Sequence, residues 1–125
     1  MIENVGVWID HKKAIIVRLS GVEKQIQSII AGSEKQLAGE HLEELRHNGF
    51  NSDVKEYYDR VISCLHDSAS ILILGPGEAK VELSVRLKGD SLGEYIAGIE
   101  TAEEMTDGEI VARIREHFPI DIQRQ

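Results

Sequence analysis

Asp10 is the side chain with the clearest potential for chemistry, because it follows the β-branched run 5–9, where an α/β enzyme can hold a metal ion. Two-metal hydrolysis of a phosphodiester needs several carboxylates around ions about 4 Å apart. A second apolar run, 71–74, is followed by glycine and supplies no such carboxylate. Other carboxylates would have to come together with Asp10 in the fold, and the candidates are Glu56, Asp59 and Glu78.

We therefore favour a turn in which Asp10 bonds the backbone of His11 and Lys12. A metal-dependent nuclease or phosphatase centred on Asp10 is the alternative.

Gly75-Pro76-Gly77, followed by Lys80, is the second candidate site. Where a buried strand passes into a helix, free backbone N–H groups can bind an anion such as phosphate. The segment is too short for a Walker-type loop, and no Ser or Thr follows the lysine. We favour a tight turn that the conformational freedom of glycine permits. Any contact with an anion would then be limited to this turn.

The His and Cys residues do not form a recognisable metal or thiol site. Neither the pair His41 and His47 nor the pair Cys64 and His66 has the spacing of a four-ligand zinc site. Cys64 falls on an amphipathic pattern that indicates packing. We predict no metal, no cofactor and no catalytic residue.

The charge balance limits which partners the chain can bind. Its 125 residues carry a formal net charge of −8, with most of the acid near the C-terminus. This repels phosphate at long range, so contact with RNA should be local. No apolar run approaches the roughly 18 residues of a membrane span, no secretory signal opens the chain, and one cysteine suits a reducing compartment. We expect a single cytoplasmic domain over 1–125, without membrane contact.

Apolar patterns predict the elements that position these candidates. Three strands of a meander are indicated, at 5–9, 14–19 and 24–30. Their first turn is Asp10-His11-Lys12-Lys13, and Trp8 is predicted to pack beneath a helix. The connection 31–51 is long for a compact domain, which is typical of a mobile or functional segment.

Helices and strands alternate in the rest of the chain. Ser52 is predicted to cap an amphipathic helix, and Thr106 with Glu109 forms the capping box of a last helix that Pro119 ends. Residues 78–88 fit both periods, and we predict a helix because parallel strands need a crossover. Further strands are expected at 71–74 and 95–99. The order βββ-α-β-α-β-α indicates a ribonuclease H-like α/β architecture, a mixed five-stranded sheet with helices on both faces.

Three segments together resemble a known family: Val7–Ala14, Ile71–Lys80 and Ala102–Arg113. In their order along nearly the whole chain, they resemble the middle domain of the Pelota and class-one release-factor family, and in particular its small stand-alone bacterial members. The apolar strand that ends in Gly-Pro-Gly, with a lysine three residues later, is the most specific piece. The resemblance implies a ribonuclease H-like fold and a role linked to translation, such as recognising stalled ribosomes.

The resemblance does not imply catalysis here. Release factors place a Gly-Gly-Gln tripeptide on an exposed loop of this domain, and this sequence has none. Pelota acts with flanking domains for which 125 residues leave no room. We expect a non-catalytic module that binds the ribosome, a translation-associated protein or RNA. Its predicted contact residues are Asp10, His11, Lys12, Lys13, Gly75, Pro76, Gly77 and Lys80. A homo-oligomeric interaction scaffold is a third hypothesis.

Overall fold

The fold is taken from a computed structural model that describes residues 3–31 and 50–118. Within them lie five strands: β1 (Glu3–Ile9), β2 (Lys13–Ser20), β3 (Glu23–Ile30), β4 (Ser68–Gly75) and β5 (Ile96–Thr101). The α-helices of this part of the chain are α1 (Phe50–Ser63), α2 (Ala79–Gly89) and α3 (Asp107–His117), and a short 3-10 helix, Gly93–Tyr95, precedes β5. The order of strands and α-helices is the predicted one.

The strands form one mixed sheet in the order β3-β2-β1-β4-β5. β1 pairs antiparallel with β2, and β2 with β3, as expected of a meander. β4 is parallel to β1 on its other side, and β5 is parallel to β4. The predicted mixed five-stranded sheet is therefore confirmed, and the carboxyl ends of β1, β4 and β5 meet at one edge.

Helices cover both faces of the sheet, which explains why the run 71–74 of β4 is continuously apolar. α1 and α2 pack on one face and α3 packs on the other. Trp8 is 1% exposed beneath α3, as predicted, and its Nε1 donates a hydrogen bond to the Glu103 carbonyl at 3.1 Å. The buried core of the α3 face includes Trp8, Leu72, Leu74, Ile110 and Ile114.

Some predicted boundaries differ from the observed ones. The described part of α1 begins at Phe50, so Ser52 lies inside the helix and the prediction that it caps the helix is wrong. A capping residue needs an extended backbone, and the backbone at this position is already helical. β5 begins at Ile96 because a 3-10 turn occupies the residues before it. Parts of the predictions lie outside the described residues: the segment 32–49 with His41 and His47, and Pro119.

Gly6 is the point of closest approach between β1 and α3. A Cβ at this position would lie 2.2 Å from Cδ1 and 2.4 Å from Cγ1 of Ile114. Ile114 is fully buried, so its side chain has little room to move away. The sheet can accept α3 at this distance only because residue 6 has no side chain.

We expect Gly6→Ala to lower the free energy of unfolding by about 1–3 kcal/mol, because the added methyl group overpacks this contact. Urea denaturation measures the loss. Ile114→Val removes the nearest atom, so Gly6→Ala should cost less in the Ile114→Val background. Gly108→Ala is the control, since a Cβ there meets nothing within 4 Å. Equal losses for the two glycine variants would contradict the packing argument.

Candidate functional site

The sheet topology brings the two predicted contact segments together. β1 and β4 are parallel neighbours, with Trp8 paired to Leu74, so the segments that follow them leave from the same edge. The approach is close, because a Cβ on Gly75 would lie 2.3 Å from the Ile9 carbonyl oxygen. We call this region the carboxyl edge and define it as residues 10–13, 75–80 and 101–106. All the predicted contact residues lie in it.

Asp10 organises the first turn of the carboxyl edge. Its Oδ1 accepts hydrogen bonds from the backbone N–H groups of Lys12 and Lys13, each at 2.8 Å. Its own carbonyl accepts a bond from the Tyr57 hydroxyl at 2.9 Å. The turn-forming interpretation of Asp10 is thus confirmed. The bonded N–H groups lie one residue further along the chain than predicted, because an Asp side chain commonly bonds the backbone two residues on.

The loop after β4 is held by backbone contacts. The Gly75 carbonyl accepts a bond from the Ala102 N–H at 2.9 Å, which ties this loop to the end of β5. Lys80 Nζ donates to the Gly77 carbonyl at 2.6 Å. Glu78 precedes α2 and makes no side-chain capping bond. The Glu78 side chain therefore does not cap the first N–H groups of α2, while the Gly75 carbonyl ties the loop to the end of β5.

A polar network that the sequence analysis missed joins this edge to the helices. Glu82 Oε1 accepts a hydrogen bond from the Tyr58 hydroxyl at 2.5 Å and lies 3.2 Å from His11 Nε2. The Arg86 guanidinium lies 4.7 Å from the centroid of the Tyr58 ring. In the sequence, only the spacing of Glu82 and Arg86, which places them on one face of a helix, pointed to this network. Tyr58 and His11 contact these residues only because of the tertiary fold.

The pKa shifts agree with this geometry. The hydrogen bond from Tyr58 lowers the pKa of Glu82, His11 adds to the effect, and partial burial opposes it. Burial raises the pKa of Tyr58, and the bond to Glu82 raises it further. Burial also raises the pKa of Tyr57. Both phenols therefore stay protonated and act as donors, while Glu82 stays a carboxylate at neutral pH.

The lysines of the first turn differ in their contacts. Lys13 Nζ lies 2.6 Å from Glu104 Oε2 and 5.5 Å from the centroid of the Trp8 ring. The hydrogen bond to Glu104 is the main cause of a raised pKa of Lys13, and desolvation opposes it. Lys12 is exposed, and no ion pair joins it to another residue of the described ranges. Lys12 is thus the cation of this turn that is most available to a partner.

The residues suggested for metal or thiol chemistry have other contacts. Asp59 pairs with Lys55 at 2.7 Å, and His66 pairs with Asp90 at 3.1 Å. Cys64 packs partly buried against the core, as predicted. Within residues 3–31 and 50–118, no three His, Cys, Asp or Glu side chains are grouped so that they could hold a metal ion. None of the helices described here is both long and apolar enough to span a membrane.

Comparison with solved structures shows the class of fold: Pelota and archaeal release-factor structures contain it. Pelota from Thermoplasma acidophilum matches with a TM-score of 0.63 and 21% identity, over 92% of this chain and 33% of that one. Pelota from Archaeoglobus fulgidus gives 0.61 and 16%, over 92% and 31%. The archaeal translation termination factor aRF1 gives 0.57 and 11%, over 95% and 35%.

These matches establish the fold and not the activity. The chain spans about a third of the length of the structures that it matches. No protein-family model and no curated protein matches the sequence. The predicted resemblance to the Pelota and release-factor family is confirmed at the level of the domain fold.

Tyr57 and Tyr58 offer a matched pair for testing the network. Tyr58→Phe removes a donor to a carboxylate, whereas Tyr57→Phe removes a donor to a neutral carbonyl. Folding lowers the pKa of Glu82. The hydrogen bond from Tyr58 to Glu82 therefore stabilises the fold at pH values above the unfolded-state pKa of Glu82. This stabilisation disappears as the pH falls through the folded-state pKa of Glu82. We expect Tyr58→Phe to cost about 1 kcal/mol at pH 7, at the low end for a charged bond because Glu82 is 44% exposed.

Urea unfolding at pH 7 and near pH 3 measures this difference. The loss caused by Tyr58→Phe should shrink in acid, while the loss caused by Tyr57→Phe should stay constant. A Tyr58→Phe loss that does not change with pH would show that the Glu82 carboxylate is not its partner.

Proposed function

We propose that this chain is a non-catalytic binding module that acts in translation, with the ribosome or another RNA–protein assembly as its partner. The observation that carries the proposal is the match of 92% of the chain to 33% of Pelota from Thermoplasma acidophilum. The likeness to an archaeal translation termination factor supports the same setting. Such a role is that of a cytoplasmic protein.

The carboxyl edge is the proposed contact surface. Lys12 is exposed and available there, and Lys80 lies beside the N-terminus of α2. Lysines and uncapped helical N–H groups are both suited to the phosphate oxygens of an RNA backbone. Because the whole chain carries a charge of −8 and the edge itself includes acidic residues, attraction must come locally from Lys12, Lys80 and the uncapped N–H groups.

The contacts of Asp10 support a binding role over hydrolysis. Both bonds to Oδ1 belong to the turn, and they orient the carboxylate toward the chain's own backbone. The sequence also lacks the Gly-Gly-Gln tripeptide with which release factors act on peptidyl-tRNA. We therefore assign Asp10 the task of shaping the contact surface.

Sedimentation with purified ribosomes, empty or stalled, tests the proposal. We expect Lys12→Glu with Lys80→Glu to weaken association at least about tenfold, because both changes place negative charge against RNA phosphate. The dependence of log affinity on log salt should also become shallower, by up to about 2 units of slope. Lys13 is left unchanged because it pairs with Glu104 and lies over Trp8.

Lys24→Glu with Lys88→Glu is the matched control. It changes the net charge equally, but Lys24 lies near the start of β3 and Lys88 near the end of α2, at the end of the sheet opposite the carboxyl edge. If the two double variants weaken association equally, the effect comes from net charge, and the proposed surface is rejected. Absence of association for the unaltered chain at every salt concentration would reject the ribosome as partner.

A further inference from the structure

β3 is an open edge of the sheet. It pairs with β2 and with no other strand of the described residues, and all of β3 except Ile29 is exposed. Proteins usually protect such edges with charges, Pro or bulges. The run Gln25–Ile30 contains no charged residue, no Pro and no Gly. Among the residues that the structure describes, no strand occupies the outer side of β3, so this edge is suited to accept another strand.

The apolar side chains of this edge share one face. Val22, Ile26 and Ile30 are spaced by four and are 66%, 41% and 51% exposed. Ile26 is paired with Val17, which is fully buried beneath α3. Of the described residues of α3, Arg115 reaches the turn before β3, where its guanidinium donates to the Gly21 and Val22 carbonyls at 2.8 and 2.9 Å. The side chains of Ile26 and Ile30 further along β3 remain exposed.

The hairpin turn sets which backbone groups of β3 point outward. A two-residue turn, Gly21-Val22, joins β2 to β3, and Gly21 has φ of 64°, as in a type II′ turn. Ser20 and Glu23 then form a hydrogen-bonded pair, and such pairs alternate along an antiparallel ladder. The N–H and C=O groups of Lys24, Ile26 and Ser28 therefore point away from β2.

We propose that a second copy of this chain occupies the edge through antiparallel, two-fold pairing of β3 centred on Ile26. In this register Ile26 faces Ile26 of the partner copy, Val22 faces Ile30 and Lys24 faces Ser28. All the exposed apolar residues of the face then meet one another. A centre at residue 27 would instead place Ile26 opposite Ser28 and Ile30 opposite Lys24. The two five-stranded sheets become one continuous sheet.

Charge complementarity favours the same arrangement. Neither Glu23 nor Lys12 forms a side-chain ion pair within the described residues, and both are exposed. Glu23 begins β3, whereas Lys12 lies beside its end, since its carbonyl accepts the Ala31 N–H at 2.8 Å. Two-fold antiparallel pairing brings the Glu23 end of one copy to the Lys12 end of the other. The paired edge is about 27 Å long at the usual rise per residue.

The other free edge is less suitable for such pairing. β5 has six residues against eight in β3, and it contains Gly98. Its Glu100 is already paired with Arg113. The two carboxyl edges of the proposed dimer point in opposite directions. Lys12 is shared by the dimer and the proposed ribosome contact, whereas the pairing of Ile26, on which the dimer is tested, is not.

Sedimentation equilibrium of the full chain over a range of concentrations tests the dimer. We expect the wild type to dimerise, and Ile26→Lys to raise the dissociation constant at least about tenfold, because like charges would face each other at the two-fold axis. Val85→Lys is the control, since Val85 is a 60% exposed valine on α2. A monomer at all concentrations, or equal weakening by both variants, would overturn the proposal.

Disulfide formation tests the register independently. In a Cys64→Ser background, Ile26→Cys should give a covalent dimer on mild oxidation, because facing Cα atoms of a hydrogen-bonded pair lie about 5.5 Å apart. Gln27→Cys should not, since residue 27 faces residue 25 of the partner and its own counterpart is beyond disulfide reach. Equal crosslinking of the two cysteine variants, or none with Ile26→Cys, would contradict pairing centred on Ile26.

Discussion

β1 is constrained on all sides, and the rest of the structure depends on it. It pairs with β2 along one edge and with β4 along the other, while α1 and α2 cover one face and α3 the other. Successive residues of a strand point to opposite faces, so Val7 and Ile9 belong to one core and Trp8 to the other. Gly6 allows α3 to approach closely. The two cores therefore share the backbone of β1, so a change of packing on one face is felt on the other.

That constraint also shapes the carboxyl edge. The end of β1 is fixed by its neighbours, and Gly75 brings the end of β4 against the Ile9 carbonyl. The following turn is stabilised from within by Asp10 and from behind by Tyr57. Because these supporting groups are mostly backbone or buried, the surface has a defined shape that does not depend on its exposed charges. A preorganised surface loses little conformational entropy on binding.

The sequence predicted the features that depend on local pattern. The capping box is present, with the Thr106 hydroxyl accepting from the Glu109 N–H and the Glu109 carboxylate accepting from the Thr106 N–H. The apolar run 71–74 became the buried middle of β4. What could not be predicted depends on tertiary placement: His11, Tyr58 and Glu82 meet only because α1 and α2 pack side by side over the sheet. The exposure of Val22, Ile26 and Ile30 could not be predicted either. The pattern of a strand does not show how far a helix from another segment extends over it.

The charges of the carboxyl edge limit how a partner can be recognised. Lys13 is paired with Glu104, and Lys80 is directed to the Gly77 carbonyl, which leaves Lys12 as the readily available cation of the predicted lysines. The chain as a whole repels phosphate through its charge of −8. Long-range steering, which speeds the association of many RNA-binding proteins, is therefore weak here. Recognition at the proposed contact surface therefore depends on short-range fit to the backbone shape of the carboxyl edge, which favours a structured assembly over free single-stranded RNA as the proposed partner.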